Sequence, residues 1–241
     1  MIDALRERAS RAGILLDFDG SLSPIVARPE LAAPADGVRE ALAALTARYA
    51  VVAIVTGRRA EEVAELVSVP GVRYEGLYGL EGSAPELLLA ILPEVERAAA
   101  VVPEAWVEDK GVSVAVHYRQ AADPRRARSA LLAGLEPVAA GAGMVVVEGK
   151  MVLEVVPADH PMKGGAVERI AGEAGLEAVL YAGDDVADLD AFAALDRLRD
   201  RGVVTVKVAV HGDETPAALV EAADVTVGGP PGLVELLREL A

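Results

Sequence analysis

Short runs of apolar residues without polar interruption recur along this chain, and segments of helical period stand between them. Gly13 to Phe18 is such a run, ending in acids. Asp36 to Tyr49 repeats apolar residues at helical spacing, Ala50 to Val55 is again continuously apolar, and Arg59 to Val67 is again helical. The first half thus reads as strand, helix, strand, helix, strand. A strand that is apolar throughout needs cover on both faces, and helices alternating with strands supply it in a parallel sheet. The alternation returns after Lys163, with a helix to Ala174, a strand at Val179 to Ala182, a helix near Val186 to Leu195, a strand at Val203 to Val210, and a last strand and helix. The expected class is α/β with a Rossmann-like parallel sheet.

Between the halves the period changes. A helical stretch from Pro85 to Val101 precedes two alternating runs, Trp106 to Lys110 and Ser113 to Arg119, joined at Gly111. A second helical stretch, Pro124 to Leu135, precedes Met144 to Glu148 and Met151 to Val156, joined at Gly149. Antiparallel hairpins within a parallel alternation predict a small α+β domain, residues 83–156, inserted into a core of 1–82 and 157–241.

Two acidic clusters follow apolar strands. Asp17 and Asp19 stand in LLDFDGS, on one side of an extended chain by the twofold period. Gly183, Asp184, Asp185, Asp188 and Asp190 stand in YAGDDVADLDAF. Parallel strands gather their carboxyl ends, so the clusters can converge at the crevice where open α/β sheets bind ligands. A few oxygen ligands beside a phosphate suit Mg2+. Asp185 and Asp190 are equally well read as acids favouring a helix N-terminus, and D-x-D-G alone also fits a solvated turn.

The formal charge of −15 repels nucleic acid and anionic membranes, so bound phosphate has to be captured by a local cation or by oriented N–H groups. Thr56, Gly57 and Arg58 end the second strand with a hydroxyl, a flexible backbone and N–H groups at a helix start. Lys163 opens the helix that re-enters the core, and only Lys110, Lys150 and Lys207 join it as lysines. Residues 1–16 lack a signal-peptide pattern, and no apolar stretch is long enough to span a bilayer, so the expected location is cytoplasmic, with no membrane or nucleic-acid partner. There is no cysteine to form a disulfide. The absence of Asn and the preference for Arg fit either heat adaptation or a GC-rich genome.

DFDGS, VTG, K-G and GDD-x-x-D, in that order, resemble the haloacid dehalogenase superfamily. DGSLSPIV, IVTGR, GLEG, the set Lys110, His117 and Arg119, GKMVLEVVP and GDDVADLDAF are similar to the trehalose-6-phosphate phosphatases within it, along nearly the whole chain. Ser21 stands where Thr is usual, Tyr78 where His is common, and Ala187 and Leu189 where Thr and Glu are usual. The resemblance implies a phosphatase with the inserted domain as a mobile cap and a sugar phosphate as substrate. Asp17 is implied as nucleophile and Asp19 as acid and base. Mg2+ would lie on Asp17, Asp184 and the Asp19 main-chain oxygen. Thr56 and Lys163 would hold the phosphoryl oxygens with Gly57 and Arg58, and His117, Arg119, Lys150 and Glu154 would read the sugar from the cap. His160 and His211 are expected at the surface, and the chain is expected as a monomer. Sucrose phosphate, mannosyl-3-phosphoglycerate and a non-catalytic sugar-phosphate-binding role are the alternatives.

Overall fold

The computed structural model describes residues 2–77, 85–158 and 162–241. Tyr78, Ser83 and His160 lie outside the described residues. In chain order the elements are α1 (Ile2–Glu7), β1 (Ala12–Leu16), α2 (Val38–Thr46), β2 (Val51–Val55), α3 (Ala60–Val67), β3 (Val72–Glu75), α4 (Pro85–Ala99), β4 (Trp106–Asp109), β5 (Val114–His117) and α5 (Pro124–Gly141). They continue with β6 (Met144–Gly149), β7 (Val152–Pro157), α6 (Lys163–Glu173), β8 (Ala178–Gly183), α7 (Asp188–Asp200), β9 (Val204–His211), α8 (Ala217–Ala222), β10 (Val225–Gly228) and α9 (Gly229–Leu240). Two compact units result, Met1–Gly79 with Pro161–Ala241, and Leu80–His160.

The larger unit holds a six-stranded parallel sheet in the order β10-β9-β8-β1-β2-β3. Alternate residues of each strand serve opposite cores. Ile14, Leu16, Ile54, Leu180 and Val208 pack with residues of α2 and α9. Leu15, Ala53, Val179 and Tyr181 pack with residues of α6 and α7. Both faces being dry is why these strands read as unbroken apolar runs. The chain moves outward from β1 to β2 and β3 on one side and from β8 to β10 on the other. That reversal opens a crevice at the C-terminal ends of β1 and β8.

The smaller unit is an antiparallel sheet of order β4-β5-β7-β6 with α4 and α5. Leu153, Val155, Val114 and Val116 are buried, as are Leu131 and Leu135 of α5 and Val95 of α4. Several boundaries differ from the periodicity reading. The helix expected to end at Leu135 runs to Gly141, with Pro137 inside it, and the helix expected near Val186 begins at Asp188. Gly149 closes β6, so the hairpin turn is Lys150 and Met151, with Met151 at φ 60°. The short α1 and α8 carry too few residues to show a period. No helix among the described residues is long and apolar enough to cross a membrane.

Candidate active site

The register of β1 on β8 pairs Leu16 with Ala182, and the Asp17 N–H donates to the Ala182 carbonyl at 2.9 Å. Asp17 is therefore held beside Gly183 and next to Asp184. After Asp17 the chain folds on itself, the Phe18 carbonyl accepting from the N–H groups of Leu22 and Ser23 at 2.9 Å each. Gly20 makes this turn at φ 86°, and a Cβ there would lie 2.0 Å from Asp184 Oδ2. Only a residue without a side chain lets the two acidic segments close. Gly183 has a parallel role, because its Cβ would lie 2.1 Å from the Asp188 carboxyl carbon.

Lys163 Nζ lies 2.8 Å from Asp17 Oδ1 and 2.6 Å from Asp188 Oδ1. Asp188 also accepts from the Tyr181 hydroxyl at 2.7 Å and from the N–H groups of Asp184 and Asp185 at 2.8 Å each. With four donors on its two oxygens, Asp188 fixes Lys163 and the β8–α7 turn. Asp17, Asp184 and Asp188 are all buried, each offering an oxygen within 4.8 Å of the others. Burial, with Asp188 and Asp184 nearby, raises the Asp17 pKa well above its ordinary value despite Lys163. Burial and Asp188 likewise raise that of Tyr181.

Three carboxylates against one ammonium leave excess negative charge in a dry site. A hard divalent cation with oxygen ligands fits that donor set, and it would reverse the upward shift at Asp17. Asp188 is already engaged by its four donors, so Asp17 and Asp184 are the better ligands. Ser21, fully buried, lies 3.4 Å from Asp184 Oδ1.

Asp19 has a different setting. Its side chain is 37% exposed, against 7% for Asp17. Arg58 grips it in bidentate fashion, Nε to Oδ2 at 2.7 Å and Nη2 to Oδ1 at 2.9 Å. The remaining guanidinium nitrogen donates to the Pro29 carbonyl at 3.0 Å and to Glu62, and the cation lies over the Phe18 ring. Arg58, expected to touch substrate, is thus committed to Asp19 in this structure. Thr56 is buried, and its Oγ1 accepts from the Arg58 N–H at 3.1 Å, shaping the turn through Gly57. It does not cap α3, whose N-cap is Arg59 without a side-chain bond.

In the smaller unit the pairings Glu154–Ala115 and Ala115–Glu108 put Glu108 and Glu154 on one face of the sheet, with His117 and Trp106 opposite each other beside them. Lys110 lies 3.2 Å from Glu154 Oε2, and the Ser113 hydroxyl donates to Glu154 Oε1. His117 Nε2 is 2.8 Å from Glu108 Oε2, and its ring stacks on Trp106 with centroids 4.0 Å apart. Arg119 donates to the Lys150 carbonyl at 3.1 Å. The four expected residues share one unit, with Glu154 bonded to Lys110 and Ser113 and His117 bonded to Glu108 on the same sheet face. Trp106, Glu108 and Ser113 join the expected residues; alternation along β4, which sends Trp106 and Glu108 to one face, is the signal that finds two of them, and the pairing of Trp106 with His117 adds the histidine to that face. His211 is exposed, as expected.

The trehalose-phosphatase family model matches residues 15–225. An uncharacterized glycosyl hydrolase of Mycobacterium tuberculosis is 36% identical over 230 residues, covering 86% of this chain and 17% of that protein. A trehalose-phosphate phosphatase of Mycobacterium ulcerans is 35% identical over 231 residues, covering 87% of this chain and 57% of the relative. The chain therefore spans well under two thirds of these relatives. The C-terminal domain of the C. albicans trehalose-6-phosphate phosphatase superposes with a TM-score of 0.83 at 21% identity, over 99% of this chain and 94% of that one, a likeness of fold.

Proposed function

The chain belongs to the trehalose-phosphatase family, and from that premise we propose that it hydrolyses trehalose 6-phosphate to trehalose and inorganic phosphate, the last step of trehalose biosynthesis, in the cytoplasm. The observation that carries this reading is the buried cluster of Asp17, Asp184 and Asp188 against Lys163, at the C-terminal ends of β1 and β8.

A carboxylate oxygen of Asp17 attacks phosphorus in line with the sugar oxygen. The bond from phosphorus to that oxygen breaks, and Asp19 gives it a proton as it leaves. To carry the proton, one Asp19 oxygen gives up its bond from Arg58 while Arg58 keeps the other. Asp17 now bears the phosphoryl group. Asp19, as carboxylate, then takes a proton from water, whose oxygen attacks phosphorus and breaks the bond to Asp17. Phosphate leaves and Asp17 is restored. The greater exposure of Asp19 suits a group that gives one proton to the leaving oxygen and takes one from the attacking water in each cycle. Lys163 and Thr56 hold the equatorial oxygens, where charge must be stabilised. Mg2+, on Asp17, Asp184 and the Asp19 main-chain oxygen, would supply charge that offsets carboxylate repulsion of the phosphate. Sugar selection we assign to the smaller unit, residues 83–156 as cap, through Glu154, His117, Arg119 and Lys150.

The test is phosphate release from trehalose 6-phosphate, sucrose phosphate and mannosyl-3-phosphoglycerate, with Mg2+ and with excess chelator. Trehalose 6-phosphate should exceed the others by at least about tenfold in kcat/KM, and chelator should stop it. Equal turnover of all three would remove the substrate assignment. No turnover of any would remove the phosphatase.

A further inference from the structure

Lys163 is the first residue of α6, and that helix starts without a cap of its own. Its N-cap, Met162, makes no side-chain bond, and its first turn contains no acid. A helix start leaves backbone N–H groups that need partners. One comes from another helix: Asp190 Oδ2 accepts the Gly164 N–H at 2.7 Å. The approach leaves no room for a side chain, since a Cβ on Gly164 would lie 2.6 Å from both the Asp190 carboxylate and its carbonyl. Asp190 and Asp188 belong to the first turn of the same helix, α7. Asp188 holds the Lys163 ammonium while Asp190 holds the backbone one residue on. Two points of one helix thus register both ends of a single buried lysine.

We propose that Asp190 is a positioning residue for Lys163, acting through the α6 backbone and without touching substrate, so that the ammonium meets the phosphoryl group in one fixed place. This rests on the phosphatase reading above, and it concerns a residue that reading does not use. Misplacing a catalytic group by a fraction of its reach lowers kcat while leaving ground-state affinity nearly intact.

The experiment compares Asp190→Ala and Asp190→Asn in the full chain, with p-nitrophenyl phosphate and trehalose 6-phosphate as substrates. Thermal melting and hydrogen exchange of the α6 first turn are followed in parallel. Asp190→Ala should lower kcat on both substrates by roughly tenfold to a hundredfold, change KM by less than about threefold, and speed exchange at the start of α6. Asp190→Asn keeps an oxygen acceptor for the Gly164 N–H, so it should recover most of the kcat. A folded Asp190→Ala chain with kcat within about twofold of wild type would overturn the proposal, as would an Asn variant as slow as the Ala variant. Wild-type turnover beside a fully active Asp190→Ala ends the positioning role alone. A wild-type chain inactive on both substrates ends the phosphatase reading and this role with it.

Discussion

Asp17 and Asp19 are two residues apart and chemically identical, and their surroundings differ. Asp17 is buried beside an ammonium and two further carboxylates, whereas Asp19 is partly solvated and clamped by Arg58. Asp17→Asn keeps the shape but is a very poor nucleophile, so turnover should fall by at least about a thousandfold with the melting temperature retained. Substantial residual activity in a metal-replete assay would reject Asp17. Arg58→Ala should leave Asp19 unoriented, and the loss should be larger for a leaving group that needs a proton. The measurement is rapid-mixing kinetics: nitrophenol release in the first turnover should fall less than first-turnover cleavage of trehalose 6-phosphate. Equal losses would mean that Arg58 serves the phosphoryl group or the fold. Asp17, Thr56, Lys163 and Asp184 each directly follow a strand or begin a helix, where sequence position alone predicts convergence, and Asp19 was legible through its spacing from Asp17 in the turn that follows. The partners were not legible. Asp19 finds Arg58, Asp190 finds Gly164 and Tyr181 finds Asp188 through tertiary packing, and no local period records such pairings.

At the scale of elements, the long runs were legible and the short pieces were not. A strand dry on both faces announces itself; β3, with four residues, was expected only as the strand that completes the alternation, and α8, with six, does not announce itself. The small sheet was legible because Gly111 and the Gly149 region interrupt alternating runs. Its polar face also frames a prediction about specificity. Glu154 →Ala removes the acceptor that engages Lys110 and Ser113, and with it a candidate partner for sugar hydroxyls. Hydrolysis of trehalose 6-phosphate should drop by about tenfold or more, while p-nitrophenyl phosphate, which has no sugar, should be nearly unaffected. Comparing both substrates on the one variant decides it: an equal loss assigns Glu154 to folding, and no loss on the disaccharide removes it from recognition.

For the molecule as a whole, the buried acids link stability to pH and to metal. The folded chain holds the Asp17 pKa above the ordinary value of 3.8, so it retains a proton that the unfolded chain has released. Metal-free stability should therefore fall as pH rises from about 4 toward neutrality. Added Mg2+ should raise the melting temperature more at pH 7.5 than at pH 5, because the ionised site is both the less stable and the better ligand. A metal-induced shift that is equal at both pH values would mean that the cation binds elsewhere. The position of β1 has a further consequence, in the order in which the chain is made. β1 leaves the ribosome before β8, one of its two neighbours, so Leu15 waits for Tyr181 while the whole smaller unit is synthesised. The smaller unit, whose strands pair with near neighbours in sequence, can form during that interval. In pulse-labelled refolding its amides should be protected before those of β1, and β1, made before β8, should be among the last strands to be sealed.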